Sequence, residues 1–363
     1  MIQTPSPELD LTTDVARLTA RLIDFDSVSG NEVLLADAIE RALRPLSHLE
    51  VLRDGDCVMA RTRLGRAEQV ILAGHIDTVP LPAAAASRGT VPSSWEGDVL
   101  FGRGATDMKG GVAVQLALAA ALTEPTRDIT FIFYDHEEVE ASLSGLGRVA
   151  ASHPQWLQAD FAVLLEPTDG TVEGGCNGTA RFEVRLAGKS SHSARAWMGV
   201  NAIHAAAEVL VRLRDHEPAT VHVDGLDYRE SLNAVKIIGG TAGNVIPDST
   251  VIEVNYRFAP DKSPGHAEEY VRALLEGFPV ERTDAAAGAR PGLQHPAAAA
   301  FVAAVGAEPK PKYGWTDVAR FSALGVPAVN FGPGDALLAH TDDEHVHAEA
   351  VRDCLRALTT WLS

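Results

Sequence analysis

At 363 residues the chain is long enough for two domains, and its 46% hydrophobic and 22% charged residues exclude a disordered chain. Its 31 Lys and Arg against 49 Asp and Glu leave a net charge of −18, a field that repels phosphate backbones and anionic headgroups. Nucleic acid and membrane surfaces are therefore excluded as partners, whereas a small anionic substrate is not, because a local group of Arg overrides the global field.

No run approaches 18 uninterrupted apolar residues, and residues 1–14 lack the basic-then-apolar pattern of a secretory signal. Cys57, Cys176 and Cys354 are widely spaced, odd in number and free of any CxxC. That reads as three small buried apolar residues in a reducing cytoplasm rather than a disulfide framework.

Taken in chain order, residues 11–43 alternate apolar and charged positions at helical spacing, broken at Ser27, Val28, Ser29 and Gly30, which predicts helix, loop, helix. Short apolar runs at 70–73, 129–134 and 161–165 are rich in β-branched and aromatic residues and predict buried strands. Residues 110–122, all Gly, Ala, Leu, Val and Gln, predict a buried helix between the first two. From 179 to 285 the texture changes. Residues 181–186, 231–238 and 250–258 alternate like half-exposed strands, while 201–213 and 267–275 predict helices. This β-α-β-β-α order suits a small two-layer sandwich. A last strand at 326–331 and a helix at 347–362 return to the first domain. The fold class expected is thus α/β: a mostly parallel-sheet catalytic domain of residues 1–178 and 286–363, with an inserted two-layer α+β sandwich of residues 179–285.

The polar residues that matter stand where these strands end. Ligands gather outside the carboxyl ends of strands in open α/β sheets. The first strand runs into GHIDTVP (74–80), the helix is preceded by GRGATDMKGG (102–111), the second strand leads to Glu137 and Glu138, the third to Glu166, and GPG (332–334) precedes His340. His75, Asp107, Glu138, Glu166 and His340 offer two imidazoles and three carboxylates without thiolate, a donor set that suits catalytic zinc with a coordination position left for water. One carboxylate can bridge two ions about 3.5 Å apart. Asp77, two residues after His75, is placed to take the second imidazole proton and fix the tautomer. In the Glu137–Glu138 pair the side chains are expected to diverge, one to metal and one to water as general base. A lone His is far more often a solvated residue than a ligand, and His48, His153, His216 and His295 are read that way. The co-occurrence at strand ends is what lifts the set.

These motifs, with Ser191-His192-Ser193-Ala194 and Asn244-Val245-Ile246-Pro247, resemble along nearly the whole chain the dinuclear zinc metallopeptidase and deacylase family, which includes desuccinylases, acetylornithine deacetylases, aminoacylases and glutamate carboxypeptidases. The desuccinylases of the actinobacterial kind are the most similar branch. The resemblance implies two zinc ions per chain, with cobalt as a substitute: His75, Asp107 and Glu166 on one, Asp107, Glu138 and His340 on the other. It implies Glu137 as the base, Asp77 as the residue orienting His75, and a homodimer in which His192 reaches the partner's site to steady the oxyanion. Asn244 and Arg257 match substrate-binding residues. Some desuccinylases carry Arg where this chain has Cys176 and Asn177, so the acyl carboxylate is expected to fall to Arg195 or Arg181. The implied reaction is hydrolysis of a small anionic N-acyl amino acid, foremost N-succinyl-LL-2,6-diaminopimelate, in lysine and cell-wall precursor synthesis. The alternatives are acetylornithine deacetylation, di- or tripeptide cleavage, and a catalytically silent binding protein. The last is disfavoured because neither the base nor any ligand is missing.

Overall fold

The apolar runs become the strands Gln69–His75, Asp128–Tyr134 and Phe161–Leu164 in the computed structural model, which describes residues 8–363. Residues 1–7, part of the stretch read above as lacking a secretory pattern, lie outside the described residues. Two compact units are present. Residues up to Gly174, Gly292–Lys310 and Arg320–Ser363 form one; Gly175–Pro291 and Pro311–Ala319 form the other.

In the first unit six strands of a larger sheet run in the order Glu50–Asp54, Cys57–Arg61, Asp128–Tyr134, Gln69–His75, Phe161–Leu164, Ala328–Asn330. The last four are mutually parallel, with Val70 beside Ile129 and Phe161, and the first two are antiparallel. The Glu50–Arg61 hairpin has no counterpart in the sequence reading, because its first strand carries charged residues and turns at Gly55 with φ +61°.

The helix Lys109–Ala121 is buried along the whole of 109–119, as an all-round apolar pattern requires. Its Gly111 lies so close to the strand end that a Cβ there would collide with the Leu165 carbonyl oxygen, and a Cβ on Gly332 would collide with the carbonyl oxygens of Leu165 and Glu166. The C-terminal helix Ala348–Leu362 closes the unit. Its Trp361 meets Phe301 edge-on at 4.7 Å and Phe161 at 6.0 Å, contacts worth about 0.5–1.5 kcal/mol each beyond area burial.

In the second unit a four-stranded antiparallel sheet runs Ser231–Gly239, Ser249–Phe258, Gly178–Ala187, Val280–Ala286. The two central strands alternate buried and solvent-facing residues, and Phe182, Val184, Ile252, Val254 and Tyr256 pack on Val209 and Val271 of the helices Ala202–Asp215 and Pro264–Leu274. The strand Val280–Ala286 was not anticipated. It is a polar edge strand with little apolar alternation to read.

The boundaries expected after residues 178 and 285 fall inside this unit. Backbone pairing explains why. The Cys176 amide donates to Ala289 O at 2.9 Å, the Ala289 amide to Cys176 O at 3.1 Å, and the Asn177 amide to Lys312 O at 3.2 Å. All three cysteines are free and buried. Among the described residues no helix is long and apolar enough to cross a membrane.

Candidate metal centre

The strand order creates the site. Gln69–His75 lies between two parallel neighbours, and the chain visits Asp128–Tyr134 on one side before crossing to Phe161–Leu164 on the other. The loops leaving the carboxyl ends therefore run to opposite sides, the place where ligands gather in open α/β sheets. His75 is the last residue of its strand, Glu137 and Glu138 follow Tyr134, and Glu166 follows Leu164 by two.

Three sets of side chains converge there, each with ligand atoms within 4.8 Å of one another: His75, Asp107 and Glu166; Asp107, Glu138 and His340; and His75, Glu137 and Glu138. Asp107 belongs to two of them through different oxygens. Its Oδ1 stands 3.1 Å from His75 Nε2 and its Oδ2 3.3 Å from His340 Nε2. His340 Nε2 also lies 2.9 Å from Glu138 Oε1. Imidazole nitrogens and carboxylate oxygens at this spacing fit a divalent ion that tolerates mixed N/O ligation. Glu137 and Glu138 each bring an oxygen within 4.8 Å of a His75 nitrogen, and of the two it is Glu138 that also joins Asp107 and His340.

His75 Nδ1 donates to the Asp77 carbonyl oxygen at 3.0 Å, with Asp77 Oδ1 farther off at 3.5 Å. The main chain is thus the nearer acceptor. This bond fixes a proton on Nδ1, so that Nε2, which faces Asp107, is the nitrogen that a metal ion would take once its own proton is displaced. The Asp77 carboxylate is occupied elsewhere, accepting the amides of Glu137 and Glu138 at 3.0 and 3.1 Å and the Ser29 hydroxyl at 2.7 Å.

Charge in this cluster is one-sided. Burial works against a charged His75, yet Asp107 and Asp77 raise its imidazole well above the usual value. Hydrogen bonds to Asp107 and Glu138 bring His340 up to about 10. Burial opposes ionisation of Asp107, but His340 and His75 hold its carboxyl well below the ordinary range. The carboxylates demand positive charge, which protons or a metal ion can supply. His340 itself sits at φ +63°, a conformation that costs a non-glycine residue on the order of 1–3 kcal/mol.

Several supporting residues carried no sequence signal. The fully buried Glu32 accepts the Gly30 amide at 2.8 Å and the His136 amide at 3.3 Å, and Asp135 links His136 Nδ1 at 2.8 Å to Arg148 at 2.6 Å. Buried Lys109 donates to Phe25 O at 2.9 Å, and desolvation pushes its ammonium down to about 8. Glu344, entirely buried, accepts the amides of Thr106 and Asp107. A single sequence gives no burial at such positions, so these acids read as ordinary surface charges.

The remaining predicted residues belong to the second unit. His192 is exposed and pairs with Val245, while the Ser193 amide donates to Asn244 O at 2.9 Å, so His192 and Asn244 are neighbours. Arg195 is exposed in the short 3-10 segment Ser193–Met198, with φ −131° and ψ 47°. Arg257 is half-buried on Ser249–Phe258, and desolvation followed by the like charge of Arg181 lowers its guanidinium below the ordinary value.

Comparison with known proteins bears on this geometry. A model of peptidase family M20/M25/M40 matches residues 71–363. A Mycobacterium tuberculosis protein that carries the provisional name succinyl-diaminopimelate desuccinylase is 52% identical over 341 residues, covering 93% of this chain and 95% of its own. The Corynebacterium glutamicum protein named succinyl-diaminopimelate desuccinylase is 44% identical over 368 residues, covering 98% of each. In fold the chain is similar to a Staphylococcus aureus tripeptidase, with TM-score 0.77, 19% identity and 98% of each chain covered. It is also similar to an M20 family metallo-carboxypeptidase from Sulfolobus solfataricus, with TM-score 0.78, 16% identity, and 96% and 98% covered. With the family model spanning most of its length and such relatives along nearly all of it, the chain belongs to peptidase family M20/M25/M40.

Proposed function

We propose that this chain is a two-zinc amide hydrolase that converts N-succinyl-LL-2,6-diaminopimelate and water to succinate and LL-2,6-diaminopimelate, a cytoplasmic step toward lysine and cell-wall precursors. One observation carries the hydrolytic centre: the two oxygens of Asp107 divide between His75 and His340 at 3.1 and 3.3 Å. The substrate class rests on the likeness to proteins named as desuccinylases.

His75, Asp107 and Glu166 would hold one ion, and Asp107, Glu138 and His340 the other. Bound there, two such ions would supply Lewis acidity to the acyl carbonyl and to a water near neutral pH. Glu137 takes the proton of the attacking water and returns it to the amine nitrogen as the C–N bond breaks. Asp77 holds the tautomer of His75 through its carbonyl and the Glu137–Glu138 turn through its carboxylate. Asn244, Arg257 and Arg195 are assigned to the substrate's carbonyl and carboxylates, since guanidinium grips a carboxylate through two parallel bonds.

His192 is assigned to the oxyanion in the site of a partner subunit. An exposed apolar edge supports a homodimer built on the second unit: Val235, Ile237 and Ile238 on the edge strand are 60%, 48% and 57% exposed. Unpaired strand edges with exposed apolar residues favour pairing with another chain.

The deciding experiment is turnover of zinc-loaded protein on a panel led by N-succinyl-LL-2,6-diaminopimelate, with N-acetylornithine and di- and tripeptides beside it. Preference for the succinylated substrate supports the assignment. Cleavage of peptides alone would replace it.

A further inference from the structure

We infer that Glu344, neutralised by Arg103, is a positioning residue that fixes the spacing between Asp107 and His340 and so sets the affinity of the metal position those two residues share. This rests on the two-metal reading above.

The geometry is specific. One oxygen of Glu344 accepts two successive amides, those of Thr106 and Asp107, each at 3.1 Å. The other takes the Arg103 guanidinium at 2.6 Å. Both partners are buried, Glu344 at 0% and Arg103 at 3% exposure. A buried carboxylate is costly unless its charge is met and its lone pairs filled. Here Arg103 supplies the charge and the main chain fills the lone pairs, so the pair acts as a fixed double acceptor beneath the Asp107 backbone.

Its place in the chain gives the device its direction. Glu344 follows His340 by four residues, and the same segment is sewn to the Asp107 loop at two further points: Thr106 Oγ1 donates to His345 O at 2.6 Å, and the Gly102 amide to Glu344 O at 3.1 Å. His340 is thus tethered to the Asp107 backbone through Glu344. Each of these bonds ends on the segment 102–107 that carries Asp107. Loosening the tether should move Oδ2 of Asp107 relative to His340 more than Oδ1 relative to His75.

The test is zinc titration of metal-depleted protein against a chromophoric chelator, for wild type, Glu344→Gln and Arg103→Lys. Glu344→Gln keeps shape and one acceptor oxygen but presents an amide to Arg103. Wild type should bind two ions. Glu344→Gln should weaken one of them by roughly 10–100-fold, the scale of supporting-residue changes at metal sites, and leave the other unchanged. Arg103→Lys should lie between. The selective loss should vanish in a His340→Ala background, where that ion is already lost, and persist in Glu166→Ala, a coupling that a general loss of stability does not produce. Asp128→Asn is the control, because Asp128 also accepts two amides, those of Leu64 and Arg66, but at the opposite end of its strand. It should lower the urea midpoint without changing either affinity. Equal weakening of both ions, or a lowered midpoint with both affinities intact in the Glu344 and Arg103 variants, would overturn the inference. Fewer than two ions on wild type would remove the two-metal reading itself and this inference with it.

Discussion

The Asp77 carboxylate accepts the backbone amide of Glu137 at 3.0 Å, and its second oxygen accepts that of Glu138 at 3.1 Å. A residue at the end of one strand thereby sets the turn after the next, and with it the position of the proposed base. Asp77→Asn offers one oxygen and one amino group where two amides and the Ser29 hydroxyl now donate, so at least one donor is left unmet. The expected outcome is a fall of roughly 10–100-fold in kcat/KM or zinc affinity. Steady-state kinetics and a chelator titration measure it; wild-type values in both would clear Asp77 of this role.

Glu137→Gln keeps the size of the side chain and its backbone contact to Asp77 but cannot take up a proton. Zinc content should stay at the wild-type level while kcat drops by at least about 10²–10⁴-fold, with KM little changed. Metal analysis beside kinetics decides. A fully loaded variant with a normal rate takes Glu137 out of the mechanism.

Removal of metal should make stability depend on alkaline pH. Asp107 and Glu138 raise His340 to about 10 in the folded, metal-free chain, against about 6.5 for an unfolded His. A group raised on folding contributes stability that is complete below the unfolded pKa and is lost as pH climbs through the folded one. Urea midpoints of chelated protein should therefore fall from pH 7 to pH 10, and His340→Ala should flatten the slope. Zinc rebinding near pH 7 should release protons, read as a heat that varies with the buffer.

A charged residue on the apolar edge tests the assembly. Val235→Asp places a carboxylate where the side chain is 60% exposed, so the folded subunit should keep its Tm. Sedimentation should shift from dimer to monomer. If His192 serves a partner's site, kcat should fall with dissociation. A fully active monomer at assay concentration would defeat both ideas.

Arg257→Lys keeps the charge but loses the planar fork, and kcat/KM on the succinylated substrate should drop by roughly 1–3 kcal/mol, the scale of a charged hydrogen bond. Zinc content should not change. Arg195→Ala should harm a succinylated substrate more than its acetylated counterpart, since only the former carries the extra carboxylate. Equal losses would show that Arg195 does not read the acyl group.

The sequence by itself determined the frame of this protein. Short β-branched runs at 70–73 and 129–134 have few alternatives to buried strands, and an all-apolar helix such as Lys109–Ala121 has nowhere to go but between layers. His75, Glu138 and Glu166 stand out in the sequence as candidates because each lies at or just after the end of a readable strand. Tertiary structure decided what depends on a partner far along the chain. Asp77 reaches Glu137 across 60 residues, and Glu344 reaches Asp107 across 237. An acidic side chain looks the same in sequence whether water or a buried amide receives it. The polar edge strand Val280–Ala286 was hidden for a related reason: its backbone pairing with Gly178–Ala187 holds it in the sheet, and main-chain hydrogen bonds leave no trace in the choice of side chains.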